Sequence, residues 1–373
     1  MPGQTDSPIP QTARANWLHL YPMQMAHHAS ASGYDRLADH LDGNIIAVPA
    51  SWTLGQRIIS RLGRRLCKNS GSRWYQREGF LREFLAIYQW IRGKNQVFHF
   101  LYGEHSYRYL GKIKALFPDR NSIVATFHTP PELFAEVVTA RTHLAQLDAV
   151  VLMSNSQREL FERFVEPACV HFIPHGVDID HFCPVAQPPP THEPATPAPL
   201  VCLSIGKMLR DYDTLAAAAR IALERGSAIQ FNVVAGSAVK DTFVNLPNVN
   251  CFTNVSDAEL LDMYQSASVL VLPMLDCTAN NVLLEGMACG LPVIATDLIG
   301  VRDYTSPSHC TYVPTGNPQL LADAIDDFLD KPEKLAAASA ASRRRALEFS
   351  WVEIAKKQND LYSSLRTARH SGR

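Results

Sequence analysis

No stretch of this chain reaches about 18 uninterrupted apolar residues, the length a membrane-spanning helix needs. Net charge is almost absent. Against 35 Lys and Arg stand 36 Asp and Glu, so the whole chain makes no electrostatic case for nucleic acid. The eight Cys form no CxxC pair and no Cys/His cluster at zinc spacing, so a zinc ribbon or a redox dithiol is not expected. Free thiols in a reducing cytosol are the simpler expectation, and the location expected is cytoplasmic. The opening stretch "MPGQTDSPIPQTARA" is polar and Pro-rich and has no apolar core, so a signal peptide is not expected.

What is present is globular. Of the 373 residues, 46% are hydrophobic and 19% charged, too many residues for one ordinary core, so two domains are expected. The stretch "CPVAQPPPTHEPATPAPL" (183–200) carries seven prolines, which continue neither a helix nor a central strand. It reads as a semi-rigid linker between two parts of similar size. In the first part "VFHFL", "SIVATFH", "AVVLMS" and "HFIPHG" read as buried strands. In the second, "LVCLSIG", "IQFNVVAG", "VNCFT", "SVLVLP" and "LPVIATD" do the same. Helical patterns lie between them, such as "DYDTLAAAARIALERG" (211–226) and "SDAELLDMYQSA" (256–267), the latter opening on a Ser256/Glu259 capping box. Strand–helix alternation with continuous apolar strands predicts an α/β fold of two parallel, doubly wound sheets. Ligands then bind outside the carboxyl ends of the strands, in a cleft between the two domains.

The stretch "CTANNVLLEGMACGLPVIATD" (277–297) places one carboxylate, Glu285, between an apolar run and a run of small residues. Residues 279–281 fall at the predicted start of its helix, where exposed amides suit an anion such as a diphosphate. Glu285, one turn further in, suits two ribose hydroxyls. A Glu satisfied by a surface Lys explains the same spacing.

"PMLDCTANNVLLEGMACGLPVIATD" (273–297) resembles the donor-site signature of GT-B glycosyltransferases of the retaining family 4 type (glycosyl transferases group 1). That family places two Glu separated by seven residues against the sugar nucleotide. The second, on the ribose, maps onto Glu285. The first, on the transferred sugar, maps onto Cys277, with Asp276 one residue away. Asn280, Asn281 and Val282 fall in the segment that the resemblance sets against the sugar. "FIPHGVDIDHFCP" (172–184) and "LSIGKMLRDYDTL" (203–215) resemble the segments that close the first domain and open the second. After Gly206 the family carries an Arg and then a Lys, both on the diphosphate. Here Lys207 takes the first place and Tyr212 the second, with Arg210 the nearby cation. Arg binds phosphate bidentately. Both cations also read as ordinary solvated loop charges. In "HHASASGYDRLADHL" (27–41) the pair Ser32-Gly33 stands where the family has Gly-Gly near the donor phosphate and acceptor. In "VATFHTPPELF" (124–134) His128 matches a His that touches the transferred sugar, and it also reads as a packed strand-end His. In "LYGEHSY" (101–107), at a strand's carboxyl end, Glu104 and His105 read as acceptor contacts or, more simply, as a solvated loop. "FSWVEIAKKQNDLYSSL" (349–365) resembles the terminal helix that crosses back to the first domain.

Local charge is uneven. "QRIISRLGRRLCKNSGSRWYQR" (56–77) holds Arg57, Arg61, Arg64, Arg65, Lys68, Arg73 and Arg77 and no acid, with Ile58, Ile59, Leu62 and Leu66 on one helical face. A basic amphipathic helix suits an anionic membrane surface, which would make the protein peripheral on the inner face of the membrane. An unusually basic solvated helix fits too. No nucleic-acid motif accompanies it.

The resemblance implies GT-B architecture, two Rossmann-like domains facing a central cleft. The expected division is an acceptor-side domain 1–185, a linker 186–199, a nucleotide-sugar domain 200–348 and a returning helix 349–373. It implies a retaining glycosyltransferase moving a sugar from a nucleotide diphosphate sugar to a saccharide or lipid-linked hydroxyl in cell-surface glycan synthesis. His128, Lys207 and Arg210 are the expected catalytic groups. Ser32, Gly33, Gly206, Asp276, Cys277, Asn280, Asn281, Val282 and Glu285 are expected to bind donor. Arg57, Arg61, Arg64, Arg65 and Lys68 are expected at the membrane. The nucleotide sugar is a co-substrate, and neither a resident cofactor nor a metal is expected. A non-catalytic sugar-nucleotide binder, suggested by Cys277, and a GT-B epimerase are the alternatives.

Overall fold

The computed structural model describes residues 15–24, 31–48, 53–118, 120–185 and 199–370. The Pro-rich linker expected at 186–199 therefore lies, save Pro199, outside the described residues, as do residues 27–30 and the first 14. The chain forms two units. One comprises Met1–His28, Gly33–His175 and Trp351–Arg373, and the other Ala29–Ser32 and Gly176–Ser350.

The first unit holds six parallel strands: β1 (Ala15–Tyr21), β2 (Gly43–Ile45), β3 (Val97–Phe100), β4 (Ser122–Phe127), β5 (Ala149–Leu152) and β6 (Val170–Phe172). Their order is β2-β1-β3-β4-β5-β6. Every residue of β4 is buried, as a strand covered on both faces requires. Strands β1 and β2 do not stand out in the sequence, because β1 carries Asn16 and His19 and β2 has only three residues. The core is aromatic, with Trp90, Phe98, Phe100, Phe127, Phe134 and Phe161 wholly enclosed. The helix Trp351–His370 belongs to this unit. Tyr362 hydroxyl meets His99 Nδ1 at 2.5 Å, and Arg369 Nη2 lies 3.0 Å from Asp148 Oδ1.

Three helices cover residues 54–92 of this unit: α1 (Leu54–Leu62), α2 (Arg64–Lys68) and α3 (Arg77–Arg92). The single basic helix suggested by the sequence is thus two, interrupted at Gly63. A Cβ at Gly63 would lie 2.2 Å from the Phe80 ring, so α3 presses directly on the α1–α2 joint. A Thr53/Gln56 capping box fixes the start of α1. Ile59 turns inward and is half-buried, whereas Ile58 and Leu62 point outward, so the predicted common face is corrected.

The second unit holds β7 (Leu200–Ile205), β8 (Ile229–Val234), β9 (Val249–Phe252), β10 (Val269–Leu272), β11 (Val293–Thr296) and β12 (Cys310–Val313). Their order is β12-β11-β10-β7-β8-β9, all parallel. Numbered within the unit this is 3-2-1-4-5-6, the Rossmann order. The unit begins at Gly176, before the prolines rather than after them. Val177 donates its N–H to Phe349 O at 2.9 Å and bridges to Ser350. Arg343 gathers the carbonyls of Ile179 and Phe182, and the Phe182 ring meets Tyr264 edge-on at 5.9 Å. These contacts move residues 176–185 from the first domain to the second. The returning segment likewise starts at Trp351, not at 349.

Candidate functional site

In a sheet of Rossmann order the strand order reverses between the first and fourth strands, and their carboxyl ends leave a crevice there. Here those strands are β7 and β10. Gly206, Lys207 and Arg210 follow β7, and residues 274–280 follow β10. The two loops are tied together: Arg210 bridges to Met274, and Asp211 N–H donates to Pro273 O at 3.0 Å.

Arg210 is the centre of this arrangement. It donates from Nε to Ile205 O (2.8 Å), from Nη1 to Met208 O (3.3 Å) and from Nη2 to Asn280 Oδ1 (3.3 Å). All three acceptors are neutral, and no carboxylate pairs with Arg210 among the described residues. Burial holds its guanidinium below the usual arginine range. Gly206 makes room for it. With φ at 134°, a Cβ there would sit 2.6 Å from Arg210 Nε. The Tyr212 hydroxyl donates to Gly206 O at 2.6 Å and fixes the loop. Lys207 is exposed.

The helix Asn281–Ala288 starts beside Arg210. Asn280 is its N-cap, accepting from Leu283 N–H at 3.3 Å. The positive end of the helix and the guanidinium therefore meet at one Asn280 oxygen. Asn281 and Val282 are half-buried on the first turn. Cys277 is buried, and burial, then Asp276, pushes its thiol up to about 12. It is thus a neutral group at the position to which the resemblance assigns a carboxylate. Asp276 turns back to accept Cys277 N–H at 2.7 Å. The loop lies so close to the next helix that a Cβ on Gly300 would stand 2.3 Å from Cys277 O.

Glu285 is 5% exposed and not satisfied by any lysine. Its Oε1 accepts from Ser32 Oγ at 2.5 Å and its Oε2 from Tyr264 hydroxyl at 2.7 Å. Burial pushes its carboxyl up, and the two hydroxyls pull it back. A carboxylate offers about four lone-pair sites, so two bonds fix its plane and leave capacity for two more hydroxyls. Tyr264 went unnoticed in the sequence. It lies 21 residues earlier on the Asp257–Ser266 helix, and nothing local marks it.

Ser32 is grouped with this unit, and Gly33 with the first. Gly33 has φ at 108°, which side chains avoid, and it leads into Tyr34. Tyr34 meets the His128 ring edge-on at 4.9 Å, while Tyr102 stacks on it at 4.3 Å. His128 Nε2 is 2.8 Å from Leu101 O, an acceptor, so Nε2 carries a proton. The solvated reading of Glu104 is corrected. It is 4% exposed, its Oε1 accepts His128 N–H at 2.9 Å, and its Oε2 has no partner. Burial raises its carboxyl to about 7.

Residues 199–331 match the family model described as glycosyl transferases group 1. That stretch, which spans most of the second sheet, is thus similar to a group 1 glycosyl transferase domain. The chain is similar in sequence to D-inositol 3-phosphate glycosyltransferases. The one from Kineococcus radiotolerans is 27% identical over 263 residues, 62% of this chain and 60% of that protein. The one from Saccharomonospora viridis is 25% identical over 289 residues, 71% of this chain and 65% of that protein. The chain thus spans less than two thirds of either relative. Sucrose-phosphate synthase from Thermosynechococcus elongatus shares the fold at TM-score 0.64 and 20% identity, covering 94% of this chain and 99% of that one. Anabaena HepE in complex with UDP-glucose shares it at TM-score 0.60 and 13% identity, covering 93% and 99%. The group 1 match contains Gly206, Lys207, Arg210, Asp276, Cys277, Asn280 and Glu285. No helix among the described residues is long and apolar enough to cross a membrane.

Proposed function

We propose that this protein is a retaining glycosyltransferase. It moves a sugar from a nucleotide diphosphate sugar to a hydroxyl of a saccharide or lipid-linked acceptor in the synthesis of cell-surface glycan. One observation carries the reading: the Arg210 guanidinium and a helix N-terminus share one neutral Asn280 oxygen at the switch point of the second sheet, with no carboxylate partner among the described residues. Two positive centres so placed favour an anion with the charge and reach of a diphosphate.

In this reading Arg210, exposed Lys207 and the amides after Asn280 take the diphosphate and offset the charge that develops as it leaves. Gly206 keeps the guanidinium in place. Glu285 accepts the ribose hydroxyls, beside Ser32. Asp276, Cys277, Asn281 and Val282 line the sugar. In the first unit, His128 and Gly33 match the residues that the resemblance assigns to the transferred sugar and acceptor. The departing phosphate oxygen takes the acceptor's proton as the new glycosidic bond forms on the same face, so no protein base is assigned. The similarity to D-inositol 3-phosphate glycosyltransferases supports the class, and a fold shared with a UDP-glucose complex makes UDP the first nucleotide to test. A second reading, binding without turnover, rests on the neutral Cys277 thiol at the sugar position.

The test is a melting-temperature screen of the full chain against UDP, GDP, ADP and their sugar conjugates, followed by turnover in EDTA with polyol phosphate and lipid-linked acceptors. A nucleotide at about 100 times its Kd stabilises by about 2.7 kcal/mol. One nucleotide should stabilise the wild type and not Arg210→Gln, and transfer should persist in EDTA. Stabilisation without transfer to any acceptor favours the binding reading. No stabilisation by any nucleotide removes the proposal.

A further inference from the structure

The first unit carries a surface that the donor site does not use. On α1, Leu54 and Leu62 are 75% and 76% exposed and Ile58 is exposed between them, one residue per turn. Arg57 and Arg61 flank this stripe on the same outward side, while Ser60 faces inward, fully buried. The stripe continues on α2 with exposed Leu66 beside exposed Arg64, Arg65 and Lys68. It then reaches α3. Phe80 fills the space that Gly63 leaves, and exposed Phe84 lies 6.5 Å from Phe80, ring to ring. Tyr88 and Ile91 follow on α3, both more than half exposed. Large apolar side chains in contiguous rows across three packed helices are unusual on a solvated surface.

Around α1 and α2 the charge has one sign. Residues 54–77 hold seven cations and no acid, in a chain whose net charge is −1. Where α2 gives way to α3, a cavity of about 620 Å³ opens, lined by Lys68, Arg73 and Arg77 together with Cys67, Tyr75 and Glu78. Glu78 is engaged by Arg82 at 2.7 Å. The start of α3 borders this cavity, and Gln76 gives it no side-chain cap.

We infer that the outer face of α1, α2 and α3 docks on an anionic lipid bilayer, with the apolar rows entering the acyl boundary and the cavity taking a headgroup phosphate. Apolar rows flanked by cations match a bilayer surface, which is apolar below and anionic above. A soluble polyanion would leave Leu54, Leu62, Phe84 and Tyr88 in water. The inference stands on this face alone and needs no turnover.

The test is flotation of the full chain with vesicles of phosphatidylcholine, alone or mixed with phosphatidylglycerol, over a salt series. Binding should require phosphatidylglycerol and fall with salt. Each cation removed should cost about fivefold in vesicle affinity, so Arg61→Gln/Arg64→Gln/Arg65→Gln should bind roughly 100-fold more weakly. Leu54→Gln/Ile58→Gln/Leu62→Gln should lose binding with all its charges intact, and Lys68→Gln/Arg73→Gln should reduce it. All of these residues are exposed, so melting temperatures should match the wild type and show that the variants fold. Vesicle binding equal in wild type and both triple variants refutes the assignment. So does failure of the wild type to bind, whether or not inorganic phosphate or RNA is retained instead. Loss in the charge variant with full retention in the apolar variant would also overturn it, since that is the behaviour of a polyanion site.

Discussion

Replacing Glu285 by Gln separates two effects that a larger deletion would merge. The shape is kept, but one acceptor oxygen becomes a donor. The Ser32 and Tyr264 hydroxyls now donate to Oε1 and Oε2, and the one facing the new amide nitrogen must turn and accept. Each bond then loses its charge assistance, a difference of about 1 kcal/mol. Against that, a buried carboxylate whose ionisation is already disfavoured disappears, which stabilises the fold at neutral pH. The two contributions oppose each other. Net stability should change by less than about 2 kcal/mol, a melting shift of only a few degrees for a unit of this size. Ligand binding has no such compensation. A ribose hydroxyl that meets an amide N–H instead of a carboxylate oxygen forfeits about 1.5–3 kcal/mol, or about 10- to 150-fold in Kd. Calorimetric titration with UDP should show that loss. The same titration with 2′,3′-dideoxy-UDP should show wild type and variant binding alike. A folded Glu285→Gln protein that binds UDP as tightly as wild type refutes the ribose assignment. An equal loss with the dideoxy ligand places the effect elsewhere in the site.

Gly206→Ala forces a side chain into φ 134° and sets its Cβ 2.6 Å from Arg210 Nε. Strain of about 1–3 kcal/mol and a displaced guanidinium should together lower the melting temperature by several degrees and weaken UDP binding; a variant with both unchanged would show that Gly206 does not seat Arg210. Glu104→Gln tests the raised carboxyl of the first unit. The folded value of about 7 lies above the ordinary 4.5, so the contribution is fully present below pH 4.5 and is lost as pH rises through 7. At about 1.4 kcal/mol per unit the loss is roughly 3 kcal/mol by pH 8. The variant escapes it, so its stability advantage over wild type should be near zero at pH 4 and grow to pH 8. His99 and His143, both held near 3 by burial, act in the opposite direction below 6.5 and cancel in the comparison. A pH-independent difference between the two melting curves would show that Glu104 titrates normally.

Local pattern marked the strands buried on both faces, because such strands are largely apolar: β3, β4, β5, β7, β10 and β11 stand out in this way, and β8 stands out by its alternation. It also marked the capping box at Ser256, where the signal spans three residues. The α/β class followed, and the group 1 motif pointed to Gly206, Arg210 and Glu285. Weak strands were lost, since β1 carries polar residues and β2 is three residues long. Tertiary structure alone decided what each charge meets. Arg210 looks in sequence like a solvated loop cation, and it is held by two carbonyls of its own loop and by Asn280, 70 residues away. Glu104 looks solvated, and it is buried under His128. Glu285 looks available to a lysine, and it is held by Ser32, 253 residues away, and by Tyr264. The break at Gly63 was equally hidden, because its cause is the Phe80 ring of another helix. Periodicity and capping are written within a few residues of chain. Desolvation and charge pairing depend on neighbours that only the folded sheets bring within reach.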